Sequence, residues 1–255
     1  MTLIEHLDEL RSRIIKVGVA FVVAAIVAWF FRIQIFDALV APGGPTLHGQ
    51  LKVTSVAEPF LNDLKLALYA AFLVTIPVLL YQLWAFVAPA VGDMGRTQTY
   101  FLIGLTSALF LAGVAFGYFA VLPVSMKLLL NWGGDRYGQI ITSANYLSFV
   151  SRFLLAFGIV FEFPAAMYVA AKMELVDARF LRKYRRHAIV ANAVLAAVLT
   201  PTPDVFTMML MAVPLFVMYE ISVIVVSRVN PVSDVEVHEF GPDDDDEDDD
   251  IERDL

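Results

Sequence analysis

An all-α integral membrane protein with six transmembrane helices is the architecture the chain implies, on three grounds. Apolar residues make up 59% of its 255 residues, 20 of them Phe, and mean hydropathy is +0.70, well above a soluble domain of this size. Runs near the ~20 apolar residues needed to cross a ~30 Å hydrocarbon layer recur along the chain. Lysine and arginine gather between alternate runs, as they do on the cytoplasmic side of a bilayer. No cysteine is present, which excludes a disulfide framework, cysteine-ligated metal sites and thiol catalysis.

The first span is expected at 14–31, with Lys16 near one end, where its amine can snorkel to the interface. The second is at 66–91, the third at 100–122, the fourth at 153–171 and the sixth at 205–226, with Glu220 towards its end. The fifth, 188–199, has twelve residues, roughly 18 Å of helix. It counts as a span because six crossings put the basic loops on one side; local thinning of the bilayer would accommodate it. Pro77, Pro164 and Pro214 fall inside spans and are expected to kink them. Between spans, 37–60 is rich in Gly and Pro, 58–65 suits a short interfacial helix, and 123–146 reads as a second cap; these are two structured extracytoplasmic loops.

With both termini cytoplasmic, twelve Lys or Arg lie in inner segments and six in outer ones. Glu5, Asp8 and Glu9 make the N-terminal flank partly acidic, so a retained first span is expected, not a cleaved leader. The formal charge of −8 divides unevenly, since residues 232–255 hold 13 acids and one base. Eight consecutive acids at 243–250 cannot bury a core, which suggests two parts: a membrane domain at 1–230 and a disordered acidic cytoplasmic tail at 231–255.

The most informative single residue is Glu162. It is the tenth of nineteen residues in the run 153–171 and the only acid or base there. A charged side chain at mid-bilayer costs about 2.5–3.5 kcal/mol, so it is kept where it faces a cavity, a partner or a substrate path. The four histidines lie near or beyond span ends, and neither Gly-x-Ser-x-Gly nor His-Glu-x-x-His occurs, so an enzyme is not expected. No cofactor, metal or nucleic-acid partner is indicated.

Four segments in order carry a resemblance. They are the octapeptide 6–13 (HLDELRSR), the run 81–90 (YQLWAFVAPA), 161–164 (FEFP) and 199–206 (LTPTPDVF). Together they resemble the TatC family, the polytopic receptor subunit of the twin-arginine protein translocase. The resemblance runs from His6 to about Arg228 and implies a glove-shaped, six-span protein of the prokaryotic cell membrane with cytoplasmic termini. It implies recognition of twin-arginine signal peptides on folded precursors, and a proton-gradient-driven export complex with TatA-type single-span proteins and other copies of the chain. Whether a TatB-type partner takes part is left open.

The resemblance assigns Glu9 to signal recognition, in a group with Arg11 and Arg13; the alternative is a helix-start acid neutralised by Arg13 at i+4. The second recognition carboxylate of the family falls at Gly95 here, and the nearest acid is Asp93. Phe86 resembles the family's aromatic contact for the signal peptide. Glu162 matches the family's intramembrane glutamate, whose face approaches the single-span partners. Pro201 and Asp204, in the turn before the last span, lie at the edge that meets partner helices, although the familiar polar residue four positions on is Met208. The competing function is a proton-coupled small-solute secondary transporter using Glu162, but the repeated halves such a carrier needs are not visible.

Overall fold

The computed structural model describes residues 3–44, 47, 51–87, 96–131, 140–199 and 205–229. Those residues are almost entirely helical, as buried apolar runs must be in lipid, where each backbone polar group has to be satisfied within its own segment. Helix α1 covers Leu3–Phe30 and α2 Arg32–Val40, followed by a tight turn at Ala41–Gly43. Helix α3 runs over Glu58–Val87 and α4 over Arg96–Phe116; α4 passes through a π-helical stretch, Gly117–Val121, into α5, Leu122–Asn131. Helices α6 (Ser143–Phe161) and α7 (Phe163–Lys172) are separated only by Glu162. Helix α8, Ala178–Lys183, precedes α9, Arg185–Leu199, and α10, Val205–Val229.

Among the described residues, five helical stretches are long and apolar enough to cross a membrane: Glu5–Phe30, Glu58–Phe86, Thr99–Asn131, Ser143–Lys172 and Val205–Val229. The run expected as a fifth crossing lies in α9, which has 15 residues and a length of roughly 22 Å. Two loop assignments change. Residues 58–65 are the first turns of α3, not a separate interfacial helix, because Glu58 anchors the start of α3 against α6. Residues 123–131 prolong the third span as α5. The acidic tail lies outside the described residues.

Helix α6 is the centre of the molecule, with Phe153, Phe157 and Val150 fully buried between α4, α10 and the α2 end. Its approach to α4 depends on small residues. A Cβ at Gly113 would lie 2.6 Å from the Phe157 carbonyl oxygen, and one at Gly117 3.0 Å from the Phe157 side chain. Gly158 in turn faces the ring of Phe110. Contacts of this kind, where backbones draw close over glycine, replace the hydrophobic driving force that lipid removes. By contrast α1 is peripheral and packs chiefly along α3.

At the end away from the N-terminus, backbone pairing ties two loops together. Lys52 N–H donates to Ile141 O at 2.9 Å, and Ser143 N–H donates to Lys52 O at 2.9 Å. Beneath this bridge the Glu58 carboxylate accepts from Thr54 N–H and Oγ1, each at 2.6 Å, from Ser143 Oγ at 3.1 Å and from Ala144 N–H at 3.3 Å. Asn62 Nδ2 completes the cluster by donating to Ser143 Oγ at 2.9 Å. A buried carboxylate with four donors is well compensated. It links the first turns of α3 and α6.

Candidate functional site

Two acidic positions stand out by geometry, one at the N-terminal end of the bundle and one inside it. The first is built on the antiparallel pair of α1 and α3. Glu9 and Arg13 are four residues apart on α1 and so share a face. Arg13 donates through Nε at 3.1 Å, and also through Nη2, to a single carboxylate oxygen, Glu9 Oε1. The same guanidinium reaches across to α3, giving Nη1 to Gln82 Oε1 at 3.2 Å and Nη2 to the Ala85 carbonyl at 3.2 Å. Glu9 is thereby pinned against the last turns of α3. Its second oxygen, Oε2, is buried and has no hydrogen-bond partner among the described residues.

The pair retains 19% and 25% side-chain exposure for Arg13 and Glu9, so solvent screening is reduced but not abolished. Beside it the His6 ring stacks on Phe86, with centroids 4.2 Å apart and planes inclined by 16°. The structure therefore brings together Glu9, Arg13 and Phe86 from the expected set, while Arg11 is exposed on α1 outside this network. Asp93 and Gly95 lie outside the described residues. Sequence reasoning missed Gln82 and the Ala85 carbonyl as anchors. A legible signal existed: Gln82 is the one amide in the apolar run 66–87, where an unsatisfied polar group is costly.

The second position is Glu162. It is the turn between α6 and α7, with φ −73° and ψ −16°, and Pro164 starts the following helix where no N–H is required. The helical path is nearly continuous, since Ala166 N–H donates to the Glu162 carbonyl at 2.9 Å. Neither side-chain oxygen has a hydrogen-bond partner among the described residues, and both are buried, although the Phe110 backbone lies close by. Phe116, Phe157 and Phe161 form a clustered aromatic wall on the α4–α6 side. A half-buried carboxyl inside a span with no side-chain partner among the described residues is costly. Pro201 and Asp204 lie outside the described residues. No grouping of three His, Asp or Glu suited to a metal occurs among the described residues.

Comparisons with known proteins agree on one relationship. The family model for the Sec-independent protein translocase protein (TatC) matches residues 5–214. Among curated proteins, the TatC of Carboxydothermus hydrogenoformans is 37% identical over 231 residues, covering 91% of this chain and 95% of that protein. The TatC of Escherichia coli K12 is 36% identical over 223 residues, covering 87% of this chain and 86% of the relative. A crystal structure of the twin-arginine translocase receptor TatC superposes with a TM-score of 0.78 at 34% identity, covering 88% of this chain and 99% of the other.

Proposed function

The chain belongs to the TatC family of Sec-independent translocase proteins, and from that premise we propose that it captures twin-arginine signal peptides through the Glu9 site. It is a multi-pass membrane protein and a subunit of the twin-arginine translocase. The observation that carries the proposal is the half-engaged carboxylate: Glu9 Oε1 is held by Arg13, and Oε2 is buried with no hydrogen-bond partner among the described residues. In this reading a side-chain rearrangement uncovers Oε2 for a guanidinium arriving at the membrane surface, while Arg13 keeps its hold on Oε1. A charge-assisted hydrogen bond in reduced dielectric is roughly twice as strong as a neutral one. Arg13 then acts by positioning the carboxylate, and the stacked His6 and Phe86 rings offer an adjacent face for a cation or an apolar side chain.

In this reading Asp93 supplies the second carboxylate in place of the glutamate that Gly95 replaces, and Arg11 helps set the local charge. The chain crosses the membrane six times with both termini cytoplasmic, α9 being the short crossing. Support for this comes from Val190, Val194 and Val198, which leave one face of α9 apolar and uncovered within the chain, and from the distribution of basic residues. Residues 231–255 form a separate acidic tail. Glu162, with Pro201 and Asp204, meets TatA-type single-span partners, and further copies of the chain join an export complex driven by the proton gradient. The protein acts by binding and assembly, not by catalysis. The solute-carrier alternative is disfavoured, since relatives across nearly the whole chain are translocase proteins.

The test is direct binding of a synthetic signal peptide to the protein in lipid nanodiscs. Replacing both arginines by alanine is expected to weaken binding at least about tenfold. Equal affinity for the two peptides would sink the proposal.

A further inference from the structure

Between α1 and α3 lies a groove of about 570 Å³, lined on α1 by Leu10, Ile14 and Phe21 and on α3 by Phe72, Leu79 and Leu83, among others. It runs along α1 from Leu10 to Phe21 and along α3 from Phe86 back to Phe72, roughly 17–21 Å of helix. Arg13, Gln82 and Phe86 stand at its mouth, where Arg13 is paired with Glu9. Two further features mark it as more than a lipid-facing furrow. Gly18 lies on its wall, where an added Cβ would meet no atom within 4 Å. Thr75, 4% exposed, puts a hydroxyl on the α3 wall that has no hydrogen-bond partner among the described residues. A threonine in a helix ordinarily returns its hydroxyl to the backbone one turn earlier.

We infer that this groove seats the apolar helical stretch of the signal peptide, the segment that follows the arginine pair; the inference rests on the reading of Glu9 as the cation site. Charge and length choose the occupant. Signal sequences place a basic region directly before 7–15 apolar residues, and here the Glu9–Arg13 pair stands at one end of an apolar channel that fits about 11–14 residues of helix. The groove takes one face of that helix, at i, i+3, i+4 and i+7, and leaves the other to lipid. Gly18 keeps the channel open. Thr75 supplies an interhelical hydrogen bond to the seated segment.

The full-length protein in nanodiscs, a labelled synthetic signal peptide and four variants test this. Gly18→Leu fills the channel at a place with free space and improves helix propensity; it is expected to weaken binding at least about tenfold. Gly104→Leu, at another glycine with no atom within 4 Å of its Cβ, should stay within about twofold. Thr75→Val is expected to lose about threefold, the usual size of an interhelical hydrogen bond. A photoreactive leucine analogue at the middle of the peptide's apolar stretch should crosslink to α1 and α3 near Phe21 and Leu79. Wild-type affinity in Gly18→Leu, or crosslinks confined to lipid or to the wall around Glu162, overturns the inference. Glu9→Gln separates the two readings. If it binds as wild type, the cation site itself is wrong; if it loses binding while Gly18→Leu does not, only the groove is.

Discussion

Glu9 and Arg13 could have been dismissed as an ordinary i, i+4 pair worth about 0.2–0.5 kcal/mol, and the geometry changes that judgement. Both Arg13 donors converge on one oxygen, and the rest of the guanidinium is spent on α3. Removing the carboxylate therefore takes away the buried acceptor and frees Arg13 at the mouth. Glu9→Ala is expected to cost about 2 kcal/mol in signal-peptide affinity, about thirtyfold, measured as Kd in nanodiscs. Asp93→Ala should cost less, since Asp93 only neighbours the position the family uses; a larger loss there would reverse the assignment of primary and secondary carboxylate. Gly95→Glu should bind as well as wild type or tighter, because it restores a carboxylate to that position. A folded Gly95→Glu variant that loses the peptide would show that this loop is built differently.

Among the helices, the break at Glu162 and the clamp at Glu58 are opposite uses of a buried acid. Glu58 has four donors, while the Glu162 carboxyl oxygens have no hydrogen-bond partner among the described residues. Glu58→Ala orphans the N–H groups of Thr54 and Ala144 together with two hydroxyls. At about 1–3 kcal/mol for each buried orphan, a loss of at least about 2 kcal/mol is expected, read as a Tm several degrees lower in detergent. Glu162→Leu should do the reverse, raising Tm because it removes a polar group from an apolar span, by up to about 3 kcal/mol. Export should nonetheless fall in a strain lacking the native subunit, and Glu162→Gln should retain much of it. Full export by Glu162→Leu would return this residue to a structural role.

Across the whole molecule, the absence of cysteine makes topology measurable with single introduced thiols. Thr2→Cys and Ser233→Cys should resist a membrane-impermeant maleimide in spheroplasts, while Gly49→Cys is labelled. Labelling of Ser233→Cys with Thr2→Cys still protected would mean an odd number of crossings and remove α9 from the count. Hydropathy alone determined the helical class and located five crossing stretches, because burial in lipid is a one-dimensional property of composition and length. Ordered motifs likewise pointed to Glu9, Phe86 and Glu162. What composition could not show was contact between distant segments. Arg13 meeting Ala85, 72 residues away, and Glu58 meeting Ala144, 86 residues away, decide which oxygens are engaged and which are left open. The second of these also explains why 58–65 joins α3. A local pattern records only that a segment is amphipathic; whether it lies on the interface or continues a span depends on the partner its polar groups find. Hydrogen-bond satisfaction is a property of the packed bundle, and only the tertiary structure assigns it.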